Sequence, residues 1–389
     1  MPVFDPPARH LMGPGPSDVS PRVLAAMGRP TVGHLDPAFQ DFMEDVKTDL
    51  RRVFRTANAM TFPISAPATA AMESCLANLL EPGETVVICV NGVFGTRLAD
   101  MAGRLGLKVE TVDFDWGTPP DPDRVEDRLK QIPDARALAF VHAETSTGVR
   151  ADPAALCEIA RRHDCFSIVD TVTALGGIPV EVDDWGADAV YAGSQKCLSC
   201  PPGLAPVTFS DRVIDHVKAR TTKPASWFHD LGLIAAYWDG EGGRSYHHTA
   251  PVNALYGLGE ALAILLEEGL EASWARHALM HRRLAAGLAA MGLELFVAPD
   301  SRLPQLNTVR IPEGVDEAAV RQHLLRRFNL EIGAGLGPLA GKVWRIGLMG
   351  ESARLDAVIL CLTALEDALS RQQIMLDRGA AVAAALTAE

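Results

Sequence analysis

The sequence lacks the features that mark several large protein classes. It has no stretch of ~18 uninterrupted apolar residues, so nothing in it reads as a membrane-spanning helix. Met1 to Leu11 lacks the charged-then-apolar pattern of a secretion signal, and a soluble, cytoplasmic protein is expected. Basic residues are the minority: 36 Lys and Arg stand against 49 Asp and Glu, a net charge of −13, with no Lys/Arg block. A surface for nucleic acid or anionic lipid is therefore not expected. Cysteine is odd in number, seven residues at wide spacing and mostly inside apolar runs, which fits buried reduced thiols rather than a disulfide framework. No internal repeat is evident. What is abundant is core material, 48% hydrophobic residues over 389 positions, enough for a large domain with a sizeable second one. Small-molecule chemistry is the class left.

Helix and strand signals alternate along most of the chain. Asp36-Pro37 reads as the cap and first residue of a helix whose apolar positions Phe39, Phe42, Met43, Val46, Leu50, Val53 and Phe54 recur every three to four residues. Short apolar, β-branched runs follow as predicted strands: Thr85 to Val90, Leu107 to Val112, Ala137 to Val141, Cys165 to Val169, Ala189 to Tyr191 and Ala205 to Phe209. Helical patterns opened by Asp121-Pro122 and Asp152-Pro153 lie between them, so a largely parallel sheet with helices on both faces is expected. Ligands bind such sheets at the carboxyl ends of the strands. From about Val252 the texture changes to two long helices, Asn253 to Glu267, interrupted by Gly257 and Gly259, and Ala272 to Met291. Strands near Leu293 to Val297, Leu306 to Ile311 and Val343 to Gly347 and helices near Asp316 to Phe328 and Ala353 to Arg371 complete a smaller α+β domain. The expected division is an arm (1–20), a large α/β domain (21–252) and a small C-terminal domain (253–389), with an Ala-rich tail from Gly379 that frays.

Two strand ends carry charge. Tyr191 runs through Ala192, Gly193, Ser194 and Gln195 to Lys196, and the strand Phe166 to Val169 runs into Asp170. The fold logic brings both ends over one crevice, where a buried Asp needs a partner. A lysine and an aspartate together there point to pyridoxal phosphate: the amine forms a Schiff base, and the carboxylate keeps the pyridine nitrogen protonated. The displaced amine can then shuttle the substrate's Cα proton.

With Gly193-Ser194-Gln195-Lys196, Val169-Asp170-Thr171-Val172 and His142-Ala143-Glu144-Thr145-Ser146-Thr147-Gly148 in this order, the chain resembles the fold-type I, class V aminotransferases over nearly its whole length. The resemblance is closest to alanine:glyoxylate and serine:glyoxylate aminotransferases, through Gly13 to Ser17, Asn91 to Gly95, Tyr246 to Pro251 and Gly341 to Gly347. It implies a mostly parallel seven-stranded sheet in the large domain. It also implies that Lys196 is the Schiff-base lysine, Asp170 the pyridine partner, and Phe94 and Val172 the groups on the two ring faces, with Thr145 near the 3-oxygen. Arg345 matches the arginine that grips the substrate carboxylate, for which a guanidinium fork is suited; a strand-end salt bridge is the structural alternative. Gly15 and His34 are further substrate-side candidates, and ureidoglycine:glyoxylate relatives carry Gln at the place of His34.

The same resemblance places the cofactor phosphate at a helix N-terminus, with Ser194 and Gln195 beside it and Tyr246 and Thr249 supplied by a partner subunit, hence a homodimer with shared sites. The turn departs from the family pattern. Relatives carry Ser-Gly-Thr-Gly where this chain has Ser65-Ala66-Pro67-Ala68-Thr69, and Pro67 has no N–H to offer. Ala68 and Thr69, opening the helical stretch Ala70 to Leu80, are the remaining donors. The implied reaction passes an amino group from alanine or serine to glyoxylate, giving glycine. Ureidoglycine:glyoxylate and pyridoxamine:pyruvate transamination remain as alternatives on the same scaffold, and a non-catalytic vitamin B6 binder as one of another kind. Cys197-Leu198-Ser199-Cys200 has no second pair at metal spacing, and Gly333 to Gly337 runs into a strand rather than the helix a dinucleotide loop needs. His247 and His248, as neighbours on a strand, would face opposite ways, and packing beside the cofactor is expected of them. No metal site is expected.

Overall fold

The computed structural model describes residues 3–238 and 244–389; the first two residues of the expected arm lie outside it. Seven strands form the central sheet: β1 (Met60–Ile64), β2 (Thr85–Val90), β3 (Lys108–Asp113), β4 (Ala135–Val141), β5 (Phe166–Asp170), β6 (Ala189–Tyr191) and β7 (Ala205–Phe209). They lie in the order β1-β7-β6-β5-β4-β2-β3, parallel except for β7, which runs against both of its neighbours. β4, β5 and β7 are buried at nearly every position, so their side chains read as continuous apolar runs. β1 is not among the expected strands; it lies at the sheet's edge, where Pro63 is accommodated opposite Pro206 of β7.

The expected caps are in place. Asp36, Asp121 and Asp152 each accept a hydrogen bond from an amide in the first turn of the helix that follows, and each helix opens with proline. Two further helices begin at the carboxyl ends of strands and point their N-termini at the same place: α1 (Ala68–Leu79) after β1 and α2 (Val93–Arg104) after β2.

α3 (Val252–Glu268) is unbroken, contrary to the interruption expected at its glycines. Both glycines permit close packing instead. A β-carbon at Gly257 would lie 2.7 Å from Met27, and one at Gly259 2.7 Å from Phe42. α3 thereby joins the apolar core of the large sheet. A second core holds Leu284, Leu288, Trp344, Ile346, Cys361 and Leu365, between the helices Leu270–Ala290 and Leu355–Arg371 and a three-stranded antiparallel sheet. Its strands are β8 (Leu306–Arg310), β9 (Gly333–Ala334) and β10 (Val343–Gly347), in the order β8-β10-β9. The strand expected over Leu293 to Val297 reduces to one bridge, Leu295 with Val309, before Pro299 starts a 3-10 turn. The Ala-rich tail does not fray: Ala380–Thr387 is a helix with Ala381 and Ala385 fully buried, docked where Gly287 leaves room. Alanine's helix propensity and small size suit that close approach.

All seven cysteines are free and buried. Among the described residues no helix is long and apolar enough to cross a membrane, and no group of His, Cys, Asp or Glu is arranged to hold a metal.

Candidate active site

A cavity of about 210 Å³ opens where the carboxyl ends of β5 and β6 face the N-termini of α1 and α2. Asp170, the last residue of β5, stands beside Tyr191, the last of β6. The Tyr191 hydroxyl donates to Asp170 Oδ2 and the Val172 amide to Oδ1, each at 2.9 Å. Burial pushes the Asp170 carboxyl up to about 7, Glu144 adding to it, while those two hydrogen bonds and Arg97 act the other way.

Lys196 lies five residues beyond Tyr191, and its Nζ donates to the Pro14 carbonyl. Gly15 presses on the same amine. Its φ of +110° suits glycine, and a β-carbon there would come within 2.1 Å of Nζ. Burial, reinforced by Arg345 and Arg97, lowers the Lys196 amine to about 8, with Cys197 and Asp170 opposing. An amine near neutrality is a nucleophile in waiting.

Arg345, in the middle of β10, reaches in from the small sheet. Its Nε donates to Ala334 O at 2.7 Å and its Nη1 to Thr145 O at 3.2 Å. It is 6% exposed, and among the described residues no carboxylate pairs with it. Burial lowers it to about 10. The salt-bridge alternative is therefore not what the structure contains. A buried guanidinium held only by carbonyls is matched to an incoming carboxylate.

The sequence profile of the family described as Aminotransferase class-V matches residues 17–343. The chain belongs to the class-V aminotransferases. Its relatives include the (S)-ureidoglycine–glyoxylate transaminase of Bacillus subtilis, 40% identical over 98% of this chain and 95% of that one. Among solved structures, an alanine–glyoxylate aminotransferase from Nostoc sp. is 46% identical, with a TM-score of 0.93 over 95% of this chain and 97% of that one. A pyridoxamine–pyruvate aminotransferase from Mesorhizobium loti is 31% identical, with a TM-score of 0.91 over 99% and 98%.

In this aminotransferase the cavity wall gathers Ala68, Thr69, Phe94 and Thr145 with Asp170 and Lys196, and adds Val172 and Gln195. Gln195 Oε1 is buried without a partner. The amides of Ala68 and Thr69 open α1 behind Pro67, which offers no side-chain acceptor. Other candidates lie elsewhere. The Ser194 hydroxyl donates to Pro201 O and does not line the cavity. Tyr246, 64% exposed, and Thr249 bond each other at 3.1 Å, away from this chain's own cavity. His34 meets the Tyr237 hydroxyl at 3.1 Å, with the Tyr246 ring 5.3 Å away. His247 and His248 are in a loop rather than a strand, and they do not diverge: their Nδ1 atoms are 2.8 Å apart, and His248 Nε2 meets Ser65 Oγ at 2.7 Å.

Two participants carry no sequence-level mark. Glu144, fully buried, accepts from the Phe94 amide at 3.0 Å through Oε2, and from the Ser146 amide and hydroxyl at 3.0 and 2.6 Å through Oε1. It caps α2 and thereby fixes Phe94. Arg97, one turn along α2, lays its guanidinium 4.9 Å from the Phe94 ring centroid and donates to Thr69 Oγ1 at 3.3 Å.

Proposed function

We propose that the protein moves an amino group from a small amino acid, alanine or serine, to glyoxylate, giving glycine, with pyridoxal 5′-phosphate as its cofactor. The observation that carries the reading is one cavity holding a near-neutral lysine and a buried aspartate, with an unpaired arginine behind it. The residues suit that cofactor: the space is small and walled by Phe94 and Val172, and the buried Gln195 Oε1 lacks a partner. When bound, the cofactor supplies an aldehyde carbon and a ring that delocalises the electron pair left as Cα loses its proton.

The chain's own groups do the rest. With the cofactor bound, Lys196 Nζ would be the amine that holds its aldehyde carbon and, when free, the base that takes the Cα proton and returns it. Asp170, held by Tyr191 and Val172, would hold the cofactor's ring nitrogen as a carboxylate acceptor. Glu144 fixes the start of α2 and with it Phe94, which would pack on the cofactor ring. Arg345 binds the carboxylate that both substrates share, which fixes which bond at Cα is aligned. The exposed Tyr246 and Trp227 suit burial against a second copy of the chain, a homodimer in which each copy completes the other's site.

The likeness to the Nostoc and Bacillus enzymes supports glyoxylate as acceptor, and the latter brings ureidoglycine in as a rival donor. Pro67 favours a second reading, pyridoxamine with pyruvate, since proline removes a donor where a phosphate would sit. Half-reactions separate these. Alanine or serine should convert the bound, phosphorylated cofactor to its amine form, and glyoxylate should restore it. Turnover confined to free pyridoxamine and pyruvate would refute the reading, as would a Lys196→Ala protein that still transaminates.

A further inference from the structure

We infer that Arg97 is the cofactor-phosphate ligand that compensates for Pro67, so that phosphate affinity in this chain rests on a side chain of α2 as well as on the turn before α1. The inference deepens the cofactor reading above and depends on it. At the turn, Pro67 contributes no N–H, and Ser65 Oγ is engaged by His248. Two amides remain, those of Ala68 and Thr69, with the Thr69 hydroxyl beside them. Two backbone donors are a thin anchor for a dianion.

Arg97 stands where the deficit lies. It lines the same cavity as Pro67, Ala68 and Thr69, and its Nη1 already touches Thr69 Oγ1 at 3.3 Å. Stacking on Phe94 holds the guanidinium plane in position, 4.9 Å from the ring centroid. Among the described residues no carboxylate pairs with it, although salt bridges are frequent elsewhere on this acidic surface. It stands within electrostatic reach of both Asp170 and Lys196. Gln195 Oε1, buried and unpartnered in the same wall, is an acceptor that awaits a donor and marks the cavity as polar and unfilled, without itself binding the anion. An arginine fork meets phosphate oxygens two at a time, which backbone amides at a truncated turn do not.

The test compares uptake of pyridoxal 5′-phosphate and of unphosphorylated pyridoxal by cofactor-stripped protein. It is followed by equilibrium dialysis and by the visible absorbance of the lysine-bound compound. Wild type should prefer the phosphorylated compound at least about tenfold. Arg97→Met should lose roughly 10- to 100-fold in affinity for it and change by less than about twofold toward pyridoxal. Arg97→Lys should fall between, and Pro67→Ser in the Arg97→Met background should recover part of the loss. Equal loss toward both compounds would assign Arg97 to the packing of Phe94 and overturn the inference, as would an unchanged affinity for the phosphorylated one or no recovery by Pro67→Ser. Wild type that takes up neither compound would instead refute the cofactor reading itself, and the pyridoxal arm keeps that failure distinct.

Discussion

Asp170→Asn isolates the cost of keeping a carboxylate inside this site. In the cofactor-free protein burial raises Asp170 from an ordinary 3.8 to about 7. Between pH 5 and pH 7 the folded protein therefore holds a proton that the unfolded chain has released, so stability contributed by this group falls as pH rises. Integrating that difference from pH 5 to pH 8 at 1.36 kcal/mol per unit gives a loss of about 2–3 kcal/mol. Asparagine removes the titration and keeps the shape. Its own packing cost at Tyr191 and Val172 is the same at both pH values and cancels. The variant should thus gain on wild type by about 2–3 kcal/mol on going from pH 5 to pH 8, whatever their ranking at either pH. Urea unfolding of the stripped proteins at the two pH values reads this directly. A variant-minus-wild-type difference that is unchanged, or that moves against the variant at pH 8, would refute the placement of an unpaired carboxylate at this strand end. Adding the cofactor should shift the balance toward wild type at both pH values, since a ring nitrogen that shares its proton with Asp170 favours the carboxylate that asparagine lacks.

Other outcomes follow from the same geometry. With the Lys196 amine lowered to about 8, the rate of cofactor uptake should fall about tenfold per pH unit below that value, and a stopped-flow rate flat from pH 6 to 8 would contradict it. Arg345→Lys should lower kcat/KM for amino and oxo acid alike by roughly 10- to 100-fold, the loss expected when a fork becomes a point charge, and leave the bound cofactor's spectrum unchanged. Glu144→Gln should cost about 1–3 kcal/mol, because one oxygen facing the α2 amides or Ser146 becomes a donor facing donors; a thermal midpoint equal to wild type would argue against the cap.

How far the sequence reveals this protein depends on where each feature's cause resides. Buried strands announce themselves because their own residues are apolar on both faces, as in Thr85–Val90 and Ala205–Phe209. The edge strand Met60–Ile64 is short and carries Pro63, which its place at the edge accommodates. Gly257 and Gly259 read locally as helix breakers; their purpose lies over two hundred residues away, in Met27 and Phe42. The Ala-rich tail looked loose for the same reason, since its partner surface is around Gly287. In the site, Asp170 is legible because it ends an apolar strand and Lys196 because it follows one within a short small-residue turn. Glu144 is not: it sits among small polar residues, and its work is done on amides some fifty positions earlier. Arg97 occupies the exposed face of an amphipathic helix, where an arginine ordinarily means only solvent.

These placements share a physical logic. Lys196, Asp170, Arg345 and Gln195 are each buried or partly buried, and each is one partner short: the amine on a lone carbonyl, the carboxyl protonating near neutrality, the guanidinium on carbonyls only, the amide oxygen on nothing. Leaving such groups inside a protein costs stability that packing alone does not return. The surrounding structure offsets it elsewhere, in a fully buried parallel sheet and a second apolar core. A ligand that supplies the missing partners then binds with that penalty already met, and the gain is greatest for a molecule with an electrophilic carbon, a basic ring nitrogen and an anion in the spacing the cavity sets. Cofactor and substrate carboxylate should therefore each stabilise this protein, the first by meeting Lys196, Asp170 and Gln195 and the second by meeting Arg345.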